Sequence, residues 1–172
     1  MKKFLIILIY LLLFTFYINS LDKNQGLLII KIETNSIGWE YQLEQYPKPS
    51  IKSYWINELK NILYKDKENN SGYYAVIIPA NKKLYFGAVV RMTTYARIDG
   101  YKNKIFEVNK DEIVWGGIIN TSFEMPRLGY RINYKFEEGN NDDFKEALLY
   151  LIEKNKDEKW TNKAKMLLES LK

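Results

Sequence analysis

Three hydrophobic periods succeed one another along the chain. Phe4 to Ile18 is apolar throughout except at Thr15. Leu27-Leu28-Ile29-Ile30-Lys31-Ile32-Glu33 begins as a continuous apolar run and ends alternating, the pattern of a central strand in a half-solvated sheet. In Gly38 to Glu44 the alternation is clean. Trp39, Tyr41 and Leu43 point one way and Glu40, Gln42 and Glu44 the other, and Pro47-Lys48-Pro49 ends the strand because proline cannot donate to a ladder. Residues 51–64 fit two readings: Trp55, Leu59, Ile62 and Leu63 sit at helical spacing, while Asn61 to Lys65 can begin a strand. Lys65 to Gly72 is a polar, turn-rich loop.

Two hairpins are predicted next. Tyr73–Ile78 and Leu84–Tyr95 flank Pro79-Ala80-Asn81-Lys82, and Ile105–Val108 and Glu112–Phe123 flank Asn109-Lys110-Asp111. Gly87 marks a bulge or a close backbone approach, and Gly116-Gly117 interrupts the last of these runs. Tyr130 to Glu137 alternates again as a final strand. The period then becomes helical. Phe144, Ala147, Leu148, Leu151 and Ile152 form one apolar stripe, and Trp160, Ala164, Leu167, Leu168 and Leu171 form another. Asp143 with Glu146 reads as the capping box of the first helix.

Strands first and helices last predict a mainly β (α+β) fold. We expect an antiparallel β-sandwich-like body of about six to eight strands, followed by two amphipathic helices packed on it. The chain divides into residues 1–20, a β-sandwich-like domain over 21–139, and a helical pair over 140–172.

Within Tyr73–Phe123, Ile78-Pro79-Ala80-Asn81-Lys82 resembles the "Pro-x-Gly-lysine" turn of a module found in bacterial exported proteins and lipoproteins. The segment Phe106 to Ile118 resembles that module's later apolar-x-Val-x-x-Gly…aromatic-Ile-Gly hairpin. Asn81 and Asp111 stand where those proteins usually have glycine, and both residue types tolerate left-handed backbone. The resemblance implies a prealbumin-like or immunoglobulin-like β-sandwich and an envelope address. It implies no activity.

The N-terminal run has its own meaning. Lys2 and Lys3, the apolar stretch and the polar exit at Asn19-Ser20 form an export signal, either cleaved or retained as an anchor. Ile18 suits the −3 cleavage position poorly, and the run is shorter than the roughly 20 residues that span a bilayer comfortably. Without cysteine there is no lipid-modified N-terminus, so the expected address is the periplasm or cell surface, soluble or anchored, and not that of a lipoprotein. Membrane contact is expected only through residues 4–18, if uncleaved.

Charge and composition narrow the function. The net charge of +5 falls to +3 once Lys2 and Lys3 are removed with the signal, leaving mixed charges and no basic face for nucleic acid. Zero histidines and zero cysteines remove Ser-His-Asp and Cys-His nucleophiles, disulfides and ordinary zinc sites. No serine lies in a G-x-S-x-G or S-x-x-K context. Asp111, Glu112 and Glu124 are the acids a glycan hydrolase would draw on, and turn and solvent-face charge is their plainer reading. Glu137 to Asp143 offers oxygen ligands for calcium without EF-hand spacing, and reads better as a strand-to-helix loop. Asn69 and Asn120 head glycosylation sequons, relevant only in a eukaryotic secretory route.

Aromatic side chains are the remaining resource. Of 14 Tyr, 8 Phe and 4 Trp, 21 lie beyond the signal. Trp39, Tyr54, Trp55 and Trp115 are the candidate partner contacts, although core packing is the usual fate of such residues. No catalytic, cofactor or metal residues are expected. The leading expectation is a non-enzymatic exported binding or structural domain with an envelope protein or glycan as partner. The alternative is a glycan-binding module or a carboxylate-dependent glycan hydrolase, and a third reading is a membrane-anchored structural protein.

Overall fold

The computed structural model describes residues 24–35, 40–47, 53–56, 62–66, 71–91, 94–98, 104–124 and 131–171. Residues 1–20 and Trp39 lie outside the described residues. The strands are β1 (Gln25–Thr34), β2 (Glu40–Tyr46), β3 (Ser53–Ile56), β4 (Ile62–Asp66), β5 (Ser71–Pro79), β6 (Lys82–Arg91), β7 (Thr94–Arg97), β8 (Phe106–Val108), β9 (Ile113–Glu124) and β10 (Arg131–Glu137). Two helices follow, α1 (Asn141–Lys154) and α2 (Glu158–Ser170). The fold is mainly β with a C-terminal helical pair, as the pattern predicts. The undecided segment 51–64 supplies β3 and the start of β4. The predicted loop Lys65–Gly72 is shorter than expected, since Lys65 and Asp66 end β4 and Ser71 and Gly72 open β5. The run from Leu84 to Tyr95 divides into β6 and β7.

One sheet has the order β10-β9-β1-β5-β4, and the other runs β3-β2-β6-β7 with β8 also on β6. All pairs are antiparallel except β1 with β9, which run parallel from Leu27↔Ile113 to Thr34↔Thr121. Between the sheets lies the main core. Leu28, Ile30 and Ile32 of β1 and Tyr74, Val76 and Ile78 of β5 face Tyr41 and Leu43 of β2 and Leu84, Phe86 and Val89 of β6. The helices cover the opposite face of the first sheet, where Leu27, Ile29, Tyr73 and Ile113 pack with Ala147, Leu148, Leu151, Trp160 and Ala164. Being central and covered on both faces, β1 is apolar on both faces along its first half.

Neither predicted hairpin forms. β5 and β6 belong to different sheets, as do β8 and β9. The turns at Ala80-Asn81 and Lys110-Asp111 are therefore arches that carry the chain from one sheet to the other. Alternation shows which residues face the core, but two arms can face it side by side or from opposite walls. Neighbouring segments satisfy the turn amides. Asn81 N–H donates to Val108 O at 2.9 Å, Ala80 N–H to Asn24 O at 2.9 Å, and Asp111 N–H to Gln25 O at 2.8 Å. Both arches thus close the same end of the sandwich.

Two of the register shifts fall at glycines, and a third, between β4 and β5, falls at Leu63. β2 pairs Gln42 with Ala88 but Leu43 with Phe86, so Gly87 is the extra residue. β1 skips two residues of β9 for one of its own between Ile29 and Lys31, at Gly116-Gly117. The helix start is corrected by one turn. Asn140 is the N-cap and Asp143 is its N3 partner, so Asp143 is not itself the cap. An Asn cap with an Asp at N3 is the same reciprocal arrangement with shorter side chains.

A polar end on the helix-covered sheet

Helical cover on the first sheet stops partway along its strands. On the outward face of β1, Leu27 and Ile29 lie under the helices, and the next two positions are Lys31 and Glu33. Strand register turns this change into rows across the sheet. Glu33 pairs with Ser71 on one side and Asn120 on the other; Ser71 also pairs with Asp66, and Asn120 with Lys135. One row therefore reads Lys135, Asn120, Glu33, Ser71, Asp66 over five strands. The row beneath it, nearer the helices, is Glu137, Ile118, Lys31, Tyr73, Tyr64.

Helix α1 borders the second row with a tyrosine cluster built on one carboxylate. Glu146 accepts hydrogen bonds from Tyr73 Oη at 2.7 Å and Tyr150 Oη at 3.0 Å. Tyr150 lies one turn beyond Glu146, so the helix itself brings these two together. The Tyr150 ring stacks on Tyr64, with centroids 4.2 Å apart and planes 5° from parallel, and meets Tyr73 at 5.4 Å. Tyr64 remains 38% exposed, so the cluster ends at solvent. Burial, then the hydrogen bond to Glu146, raises the Tyr73 hydroxyl above its usual range and pushes Tyr150 up to about 12.

Lys31 links the cluster to the first row. Its ammonium lies 3.0 Å from Glu33, 3.6 Å from Asp143 and 5.5 Å from the Tyr73 ring centroid. Burial would lower its pKa, but the hydrogen bond to Glu33 and the charges of Glu33, Asp143 and Glu146 outweigh that and hold it above the ordinary value. Two open grooves meet at Glu33. One of about 410 Å³ is lined by Lys31, Tyr64, Asp66, Ser71, Tyr73 and Tyr150 among others. The second, of about 530 Å³, is lined by Asn35, Asn120, Ser122, Asn133 and Lys135 among others. Both volumes fall within the roughly 300–1,000 Å³ of ligand sites.

Of the residues singled out from sequence, Tyr54 and Trp115 are placed elsewhere, and Trp39 lies outside the described residues. Trp55 pairs with Gln42 in β3, and its side chain lies outside the described residues. Tyr54 is half-buried against the core between the sheets. Trp115 lies under α1, 5.8 Å from Phe144 and 6.4 Å from Tyr73 between ring centroids, with its indole N–H donating to Glu138 O at 2.8 Å. The first sheet separates Tyr54 from Trp115, so these two do not form one platform. The acids also disperse. Asp111 pairs with Lys159 at 2.6 Å, Glu112 accepts from Asn109 N–H at 2.9 Å, and Glu124 accepts from Asn133 at 3.1 Å. Glu112, just before β9, and Glu124, its last residue, lie twelve residues apart, roughly 40 Å at the rise of a strand.

Of the Glu137–Asp143 acids and amides, Asn140 and Asp143 serve the helix start, while Glu138 pairs with Lys104 at 3.3 Å. Asn140 Oδ1 accepts from the amides of Asp142 and Asp143, and Asp143 accepts from Asn140 N–H. Among the described residues no group of three or more acids is arranged to hold a metal ion. What sequence reading missed is the set Lys31, Glu33, Tyr64, Glu146 and Tyr150. The available signals were two charges within an otherwise apolar strand and the Glu146/Tyr150 spacing on the helix.

No protein-family model matches the chain, and no curated protein matches its sequence. Among solved structures, one described as a "putative cell adhesion protein" from Bacteroides fragilis superposes with a TM-score of 0.33 at 6% identity. The match covers 68% of this chain and 46% of that one. The chain thus spans less than half of that neighbour's length, and a likeness of this size carries no inference about function.

Proposed function

We propose that the chain is a non-enzymatic binding domain of the bacterial envelope, exported through residues 1–20 and engaging its partner at the polar end of the helix-covered sheet. The observation that carries this reading is the register row in which five adjacent strands each present a polar side chain beside a tyrosine cluster that ends at solvent. The paired state of the nearby groups supports recognition over turnover. Glu146 is held by two tyrosines and Lys31 by two carboxylates, which leaves shape and hydrogen bonding as what the surface offers. The export signal and the resemblance of residues 73–123 to exported sandwich modules support the address. A carboxylate-dependent hydrolase finds less support, because Asp111 and Glu112 lie at the arch before β9 and Glu124 at the far end of that strand.

A photo-crosslinking residue at Ser71 of the full chain, irradiated in cells that are then fractionated, tests this reading. It predicts a chain outside the cytoplasm with an adduct to an envelope component. A full-length cytoplasmic chain without an adduct would sink it.

A further inference from the structure

We infer that the two grooves are one binding site for a neutral, β-linked oligosaccharide laid across the strands. The inference rests on the binding-domain reading above and names its ligand class. Adjacent strands lie about 4.8 Å apart, so the five-strand row is about 19 Å long. That spacing is comparable to the repeat of a hexose in an extended β-linked chain. Such a chain, running perpendicular to the strands, meets one polar side chain per sugar, from Asp66 through Ser71, Glu33 and Asn120 to Lys135. Both grooves are lined by Glu33, so they adjoin at the middle of the row.

The chemistry of the lining selects the ligand. Amide, hydroxyl, carboxylate and ammonium groups alternate along the row, the mixture that both donates to and accepts from sugar hydroxyls. At one end Tyr64, stacked on Tyr150, adds an aromatic surface for the apolar face of a sugar ring. Formal charge argues against a polyanion: Lys31 and Lys135 are outnumbered by Glu33, Asp66 and Glu146 across the two grooves. An apolar peptide would take the row's polar and charged groups out of water and return no hydrogen bonds to them.

Calorimetric titration of the full chain, in a detergent without a sugar headgroup, with chitohexaose, cellohexaose and chitobiose tests the inference. At least one hexamer binds, and chitobiose binds about tenfold or more weakly, because two sugars meet only two of the row's five side chains. Tyr64→Ala weakens the hexamer about tenfold, whereas Tyr64→Phe, which keeps the ring, stays within about twofold. Asn120→Ala, in the other groove, weakens the hexamer and leaves chitobiose unchanged. Circular dichroism melts confirm that each variant is folded; should Tyr64→Ala fail to fold, Ser71→Arg, which fills the row from the rim, takes its place. Binding by neither hexamer, or equal binding of hexamer and dimer, overturns the inference. A protein adduct at Ser71 in cells together with no hexamer binding overturns the glycan assignment alone, whereas a cytoplasmic chain with no adduct overturns the binding-domain reading itself.

Discussion

Backbone conformation at single positions sets where the chain turns. Asn81 and Asp111 both adopt φ 59°, the left-handed region that most side chains avoid, and each sits in an arch between the sheets. Asn81→Gly is therefore expected to change stability by no more than about 0.5 kcal/mol, while Asn81→Val, β-branched in left-handed backbone, costs about 1–2 kcal/mol. Gly117 is more tightly bound to its residue type. Its φ is 86°, and a Cβ there would lie 2.4 Å from the Glu137 carbonyl oxygen of the neighbouring strand. Gly117→Ala should cost about 2 kcal/mol or more. Urea unfolding of the three variants checks both positions, and an unchanged midpoint for Gly117→Ala would contradict the account of the bulge.

Helices matter here as covers. α1 and α2 bury Ala147, Leu148, Leu151, Trp160 and Ala164 on the first sheet, and where that cover ends the polar rows begin. Trp160, 2% exposed, is the largest of these, and Trp160→Ala is expected to cost about 3–5 kcal/mol. Met166, 70% exposed on α2, is the control, with Met166→Ala within about 0.5 kcal/mol of the parent. The N-terminal cap of α1 belongs to the same scale. Asn140→Ala removes the acceptor for two amides and should cost about 1 kcal/mol, with Asn140→Asp restoring most of it. Thermal melts followed at 222 nm separate these outcomes. Equal losses for Trp160→Ala and Met166→Ala would mean that the helices do not depend on the sheet.

At the scale of the whole molecule, the sandwich buries tyrosines whose ionisation limits stability at high pH. Tyr74, in the core between the sheets, is pushed up to about 12 from 10.0, first by burial and then by the neighbouring Tyr41. A tyrosine with a raised folded pKa loses no stability while both states are protonated. The unfolded chain releases its proton above pH 10.0 and the folded chain only near pH 12, so stability falls across that window. Tyr73, raised by burial and Glu146, adds to the same loss. Unfolding free energy measured from pH 8 to 12 should be flat and then decline above about pH 10, and Tyr74→Phe should reduce the slope. A decline that begins near neutrality would point to another group.

Periodicity alone carried the mainly β body, the central strand β1, the terminal helices and the bulge at Gly87. Each of these rests on nearest-neighbour chemistry: alternation for strands, 3.6-residue stripes for helices, and glycine where no side chain fits. Tertiary structure decided what local pattern cannot hold. Whether Tyr73–Ile78 and Leu84–Arg91 share a sheet or face each other across a core depends on partners distant in sequence, because both arrangements bury the same residues. The parallel pairing of β1 with β9 is of that kind. So is the candidate site. Lys31, Tyr64, Tyr73 and Glu146 are scattered over more than a hundred residues, and only strand register and the seat of α1 bring them to one surface.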